Sequence, residues 1–274
     1  MSLSDELRSL TTLADVDPRD TPGFSGKKAA GVQALADLGD ELADLQERLF
    51  AQSTQGGKRS VLVVLQGMDT SGKGGTTERL AGALNACDVA ISSFKRPSEE
   101  ELAHDFLWRI ERALPLAGKV GIFDRSHYED VLIVRVHELQ PPAEIERRYE
   151  AINDFEKRYV DDGGTILKCL LHIDRETQKE RLAARLEDPS KYWKYNPEDV
   201  DERQLWDSYA ESYQLVLDRC STDVAPWHIV PAGRKWYRNW AVSQLMLETL
   251  RGLELEWPPA DFDIEAEKAR LAAS

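Results

Sequence analysis

Gly67-Met68-Asp69-Thr70-Ser71-Gly72-Lys73-Gly74 stands between Val61-Leu62-Val63-Val64-Leu65-Gln66, an apolar run of buried-strand length, and Thr76-Thr77-Glu78-Arg79-Leu80-Ala81, which reads as a helix. Strand, glycine loop and helix in that order give Gly-x4-Gly-Lys the context of a phosphate-binding loop. Backbone N–H groups at the helix start can wrap phosphate oxygens, with the helix dipole adding a favourable field. Lys73 would reach the phosphates as a point charge. The usual loop ends in Lys-Ser or Lys-Thr, whose hydroxyl binds magnesium. Here Gly74 takes that place and a carboxylate, Asp69, sits inside the loop. A loop without the hydroxyl needs another metal ligand, and Asp69 is the candidate. Gly67, Thr70, Ser71, Gly72, Gly74, Gly75 and Thr76 are the expected phosphate and nucleotide contacts.

Val120-Gly121-Ile122-Phe123-Asp124 reads as a second strand leading to the site. A carboxylate at such a strand end completes the magnesium site of phosphate-loop proteins, and in open α/β sheets ligands sit beyond the carboxyl ends of strands. Asp124 could also cap a helix, since Ser126 and Glu129 follow. Arg125 is placed for a phosphoryl oxygen or for a salt bridge. Arg181 and Arg185 share one helix face and precede Asp188-Pro189-Ser190-Lys191-Tyr192-Trp193-Lys194-Tyr195, a polar, aromatic segment suited to a mobile lid. The bland alternative is a solvated charged face. Trp193 and Tyr195 could stack on a base or anchor the lid. Lys95 and Arg96 follow another strand and by themselves read as surface charges. The five histidines form no ligand-like group.

Strands expected at 61–66, 88–94, 119–123, 165–173 and 227–230 alternate with helices, which implies an α/β fold with a parallel five-stranded sheet between helices. Leu35, Leu38, Leu42, Leu45 and Leu49 predict one helix of about 25 residues with a single apolar stripe, a seam for the parent domain or for a second copy. Further helices are expected from Ser98 to near Pro115, over Tyr128–His137, from Pro142 to about 161, over Glu176–Leu186, from about 201 to Cys220, and from Lys235 to Leu253. Residues 1–27 read as an irregular arm, 28–253 as one domain with a lid at about 187–205, and 254–274 as an acidic tail.

The 274 residues, 42% hydrophobic and 31% charged, suit a globular protein, and no stretch approaches the roughly 20 apolar residues of a membrane span. The N-terminus has neither the basic nor the apolar region of a secretory signal. Cys87, Cys169 and Cys220 have no zinc or redox spacing, so reduced thiols in the cytoplasm are expected. A net charge of −14 argues against a general nucleic-acid binder and requires any polyanion to find a local basic channel.

The chain resembles the family-2 polyphosphate kinases. The resemblance rests on the Gly67–Gly74 loop, Phe94-Lys95-Arg96-Pro97, His104-Asp105-Phe106-Leu107-Trp108-Arg109, Phe123-Asp124-Arg125-Ser126-His127-Tyr128-Glu129-Asp130, Asp188-Pro189 through Trp193-Lys194, and Ala225-Pro226-Trp227. It implies a P-loop kinase fold similar to thymidylate kinase with a helical lid. It also implies reversible, magnesium-dependent transfer of a terminal phosphoryl group between inorganic polyphosphate and AMP or ADP. Asp69 and Asp124 match the family's essential acidic positions, here the magnesium ligands. Lys73 matches its Walker lysine, Arg125 its Walker B arginine, and Arg181, Arg185 and Lys194 its basic lid positions. Lys95 and Arg96 become channel residues for the polyanion. The ADP-specific subclass carries Asn where Glu129 stands; Glu129 is similar to single-domain enzymes that accept nucleoside mono- and diphosphates. The implied partners are polyphosphate, adenine nucleotides (guanine left open) and further copies in a dimer or tetramer, with no nucleic acid and no membrane. An ATP-driven nucleoside monophosphate kinase and a non-catalytic nucleotide- or polyphosphate-binding regulator are the competing readings.

Overall fold

All seven residues of β1 (Ser60–Gln66) are buried, because this strand lies at the centre of a parallel sheet with helices on both faces. The computed structural model describes residues 1–274. Its other strands are β2 (Val89–Ser93), β3 (Val120–Asp124), β4 (Gly164–His172) and β5 (Trp227–Pro231), in the order β2-β3-β1-β4-β5, every pair parallel. The expected α/β architecture with five parallel strands is the one observed. Pleating sends Val61, Val63 and Leu65 to one core and Leu62 and Val64 to the other.

The longer helices are α1 (Lys28–Asp37), α2 (Gly39–Thr54), α3 (Lys73–Ala81), α4 (Pro142–Asp161), α5 (Arg175–Glu187), α6 (Trp206–Cys220), α7 (Lys235–Gly252) and α8 (Ile264–Ala272). Side chains of α2, α3 and α7 fill the first core; those of α4 and α6 fill the second. The register pairs Leu65 with Asp124 and Ser93 with Asp124, so the β1 loop and the β3 carboxylate emerge side by side at the carboxyl end of the sheet.

Three helix expectations change. The leucine stripe runs over two helices that break at Leu38, and Leu42, Leu45 and Leu49 are buried in the chain's own core rather than presented to a second copy. The stretch from Ser98 to Pro115 holds two short helices, Glu99–Leu102 and Trp108–Glu111, because the Asp105 carboxylate accepts from Leu107 N–H (3.0 Å) and starts a new turn. Over 128–137 a 3-10 turn, His127–Asp130, precedes the short helix Ile133–Val136; the Ser126 hydroxyl tightens it by accepting from Tyr128 N–H.

Residues 1–27 contain more order than their composition suggests. Ser2 and Asp5 form a capping box on helix Leu3–Arg8, whose Leu3 and Leu7 are buried. This helix packs on β5 and so covers an edge strand. Residues 187–205 form three short helical turns, and α8 in the tail buries no residue.

The arm is tied down at His228 on β5. Its Nδ1–H donates to the Lys168 carbonyl oxygen (3.1 Å) and its Nε2 accepts from the Ser4 hydroxyl (2.9 Å). Burial holds this imidazole's pKa down at about 4. The unfolded chain takes up the proton near pH 6.5 and the folded chain only near 4. The contribution of the neutral ring is therefore complete above pH 6.5 and is lost as pH falls toward 4, amounting to about 2 kcal/mol at pH 5. In urea unfolding, His228→Gln should lose about 2 kcal/mol less than the wild type between pH 7 and pH 5; an equal loss in both proteins would contradict the assignment.

Candidate functional site

The loop leaves β1 through Gly67 at φ +146° and reaches α3 through Gly72 at φ +104°, with Thr70 also left-handed at φ +65°. Glycine supplies such angles without a Cβ penalty, whereas Thr70 must be held there by its surroundings. No side chain caps α3 at Gly72, so the N–H groups of its first turn are free for an anion. The loop hydroxyls of Thr70 and Ser71 have no hydrogen-bond partner, and Thr76 turns its hydroxyl back to the Gly72 carbonyl. Lys73 donates to the carbonyl oxygens of Gly67 (2.5 Å) and Met68 (3.3 Å). Burial, then Arg125, pushes its pKa down, against Asp69.

On one side of the loop lies an acidic pocket. Arg125, at φ +67°, donates to the Asp69 carboxylate (2.8 Å) and stands 3.9 Å from Glu129. Burial would lower the pKa of this guanidinium, but Glu129 and Asp69 outweigh it and hold the cation. Asp124 lies against Gly74: its Oδ2 is 3.5 Å from where a Cβ would stand. The place of the missing hydroxyl thus faces a carboxylate. No group of three or more His, Cys, Asp or Glu side chains gathers anywhere in the chain; Asp69 and Asp124 are oxygen donors of the type magnesium takes one or two of, its octahedron being completed by water and phosphate. Tyr209 and Tyr213 of α6, Trp206 and Glu202 close the far wall. At about 70 Å³ the pocket is shut down relative to the roughly 300–1,000 Å³ of an open ligand site.

Glu202, Trp206, Tyr209 and Tyr213 escaped the sequence reading, and so did Gln66. Gln66, 1% exposed, lies between Ser126 and Glu129, and the amide orientation assigned by its neighbours donates its nitrogen to Glu129 (3.1 Å) and accepts at its oxygen from Ser126 N–H and Oγ. It sets the Glu129 carboxylate beside Arg125. Its signal was its polarity at the end of an apolar strand.

On the other side of the loop is a basic groove of about 480 Å³. Arg181, Arg185 and Lys194 meet there, as the lid reading expects, and Lys191, Lys235 and Arg238 join them. The last two are a visible oddity in retrospect, because cations at a helix N-terminus oppose the dipole. Arg181 donates to the carbonyl oxygens of Thr70 and Ser71, and Arg185 to that of Lys194 (2.8 Å). Lys95 and Arg96 are exposed at the end of β2 and line neither pocket. Trp193 is 78% exposed beneath Lys194 and anchors nothing in the core.

Residues 25–257 match the family described as Polyphosphate kinase 2 (PPK2). The chain is similar to the AMP/ADP-polyphosphate phosphotransferase of Meiothermus ruber, 46% identical over 242 residues that cover 88% of this chain and 89% of the relative. It is also similar to the ADP-polyphosphate phosphotransferase of Rhodopseudomonas palustris, 38% identical over 80% of this chain and 78% of the relative. The crystal structure of Polyphosphate Kinase 2 from Arthrobacter aurescens TC1 superposes with a TM-score of 0.98 at 51% identity, covering 100% of this chain and 98% of the other.

Beneath the Arg125 turn lies a fully buried ion pair. Lys168 of β4 donates to Glu156 of α4 (2.5 Å), to the Tyr128 hydroxyl (2.8 Å) and to the Cys220 carbonyl (2.7 Å), and Glu156 also holds His127 (3.2 Å). Burial opposes both charges, yet Lys168 and His127 together keep the Glu156 carboxyl below its ordinary range. Lys168→Met should cost about 3–5 kcal/mol in urea unfolding, since it strands a buried carboxylate, and Lys168→Met/Glu156→Leu should recover much of that. A double variant no more stable than the single one would contradict charge stranding as the cause.

Proposed function

The chain belongs to the polyphosphate kinase 2 family, and on that premise we propose that it transfers the terminal phosphoryl group of inorganic polyphosphate to AMP or ADP. The products are ADP or ATP and a polyphosphate one unit shorter, and the reaction is reversible. One observation carries the choice of donor. The groove entering the loop is lined by six cations, a single carboxylate (Glu180) and no aromatic side chain. A phosphate chain fits such a wall, whose own lining offers no aromatic face to a base; the exposed Trp193 under Lys194 lies outside that lining.

In phosphoryl transfer the protein mainly positions groups and neutralises charge. An oxygen of the acceptor phosphate attacks the terminal phosphorus of the chain, and the bridging P–O bond breaks. The acceptor is already an anion at neutral pH, so no general base is required. Lys73, released from the Gly67 and Met68 carbonyls, would follow the transferring group, and the free N–H groups of α3 would hold its oxygens. Arg125 would bind the acceptor phosphate from the acidic side. Asp69 and Asp124 would hold magnesium, which when bound offsets the charge of the phosphate oxygens. Glu129, set by Gln66, would select the shorter acceptor by drawing cations toward it. A lid motion of residues 187–205 would carry Glu202 off the wall of the acidic pocket and widen it for nucleotide. The strand order around the loop supports kinship with thymidylate-kinase-like P-loop kinases. The free thiols support a reducing cytoplasm. The exposed Trp257, Phe262, Ile264 and Leu271 of the tail offer a surface for the proposed oligomer.

With AMP as acceptor, long polyphosphate should support turnover at least about 100-fold faster than ATP supplied as donor, a gap of about 2.7 kcal/mol that a few lost groove contacts account for. Comparable rates would favour the ATP-driven kinase, and no turnover with either would favour a binding regulator. Lys73→Ala and Asp69→Asn should each lower kcat on the order of 10³-fold with the overall fold retained; near-wild-type turnover would remove both from the mechanism. Glu129→Asn should shift the AMP-to-ADP rate ratio toward ADP, and an unchanged ratio would sink its role in acceptor choice.

A further inference from the structure

We propose that Arg181 and Arg238 form a guanidinium clamp that sets the shape of the phosphate-binding loop from behind, and that both are positioning residues rather than phosphate ligands. The proposal rests on the reading of this loop as the phosphoryl-transfer site. It departs from the family-based expectation for Arg181, which made it a basic lid contact for the substrate.

Arg181 reaches from α5 with four of its five N–H groups engaged by main-chain carbonyls. Nη1 donates to Thr70 (2.8 Å) and Ser71 (3.0 Å), and Nη2 to Ala232 (2.6 Å) and Gly233 (3.1 Å). One side chain thereby fastens the β1 loop to the turn between β5 and α7. Arg238, 4% exposed, approaches the same loop from α7 and donates from Nη1 to Ser71 (3.1 Å). Its Nε and Nη2 are held by the Asn239 side chain (3.1 and 2.8 Å), which fixes the plane of the guanidinium. The Ser71 carbonyl therefore accepts from two arginines.

The loop is shaped around them. A Cβ on Gly72 would collide with Arg238 Nη1, and one on Gly75 would crowd its Nη2. Gly72 is thus required twice, for its positive φ and for the space the guanidinium fills. In a planar trans peptide C=O and N–H point in opposite directions. Holding the Ser71 carbonyl against the clamp consequently turns the Gly72 N–H away from it. The same contacts account for Thr70 in the left-handed region, a conformation a non-glycine residue keeps only when its neighbours enforce it.

The charges are consistent with a structural clamp that stays cationic without an acidic partner. Neither arginine has a carboxylate within salt-bridge distance, unlike Arg125, Arg109 and Arg148. Burial, aided by Arg181, lowers the pKa of Arg238 to about 10. Of the other cations of the groove, Lys194 and Lys235 have no carboxylate within salt-bridge distance and remain to meet a polyanion, while Arg185 is paired with Asp199 and Lys191 with Asp188.

Arg181→Lys and Arg238→Lys keep the charge of the groove but cannot span the carbonyls. Each should lower kcat at least about 30-fold while leaving KM for polyphosphate within about threefold, an effect made through the transition state rather than through donor affinity. Lys235→Ala, by contrast, should raise that KM. Hydrogen exchange of residues 67–75, measured without substrate, should speed up at least tenfold in both lysine variants, and guanidinium ion should restore part of the kcat of Arg238→Ala. A KM rise with unchanged kcat would make the arginines phosphate ligands and overturn the clamp. Unchanged exchange would overturn it whatever the donor proves to be, whereas wild-type preference for ATP would overturn only the donor reading.

Discussion

A loop that offers its N–H groups to an anion has to hide its carbonyls, and six consecutive carbonyls of this loop are occupied from behind. Gly67 and Met68 are taken by Lys73, Asp69 by Gln178, Thr70 by Arg181, Ser71 by Arg181 and Arg238, and Gly72 by Thr76. The donors come from α3, α5 and α7, so the loop's shape depends on three helices packed on one sheet. This requirement explains why buried cations with no acidic partner surround the loop, an arrangement that is otherwise unfavourable.

The same loop divides two electrostatic environments. The groove on the α5–α7 side is positive although the whole chain carries −14, so the field that matters is local. The pocket on the β3 side holds Asp69, Glu129 and Glu202 around Arg125. A polyanionic donor and a nucleotide accompanied by cations would each find the potential that suits them, and they would meet at Lys73. Behind the acidic side, the buried Lys168–Glu156 pair and the Gln66 amide fix the turn that carries Arg125 and Glu129.

What was legible in the sequence was local. Strand, loop and helix around Lys73 are contiguous, and the apolar run ending in Asp124 announces its own strand, so the sheet and the Asp69–Asp124–Arg125 grouping could be placed from pattern alone. Features that depend on distant partners could not. Arg238 reaches the loop from 167 positions away and Lys235 lines the same groove, and nothing in their neighbourhood names that target. Arg181 was legible as part of the site, but its four carbonyl partners were not. Lys95 and Arg96, surface charges by their own sequence and channel residues only through the resemblance, are exposed at the end of the edge strand β2. The helix breaks at Leu38 and Asp105 arise from single side-chain and turn choices that periodicity averages over.

The central claim is that the loop separates a polyphosphate side from a nucleotide side. The most direct measurement is a crystal structure of the Lys73→Ala protein with a short polyphosphate and AMP both bound. The account predicts the phosphate chain in the groove between Arg185, Lys194 and Lys235, and the AMP phosphate on Arg125 beside Asp69. Both ligands on one side of the loop, or the nucleotide in the basic groove, would contradict it.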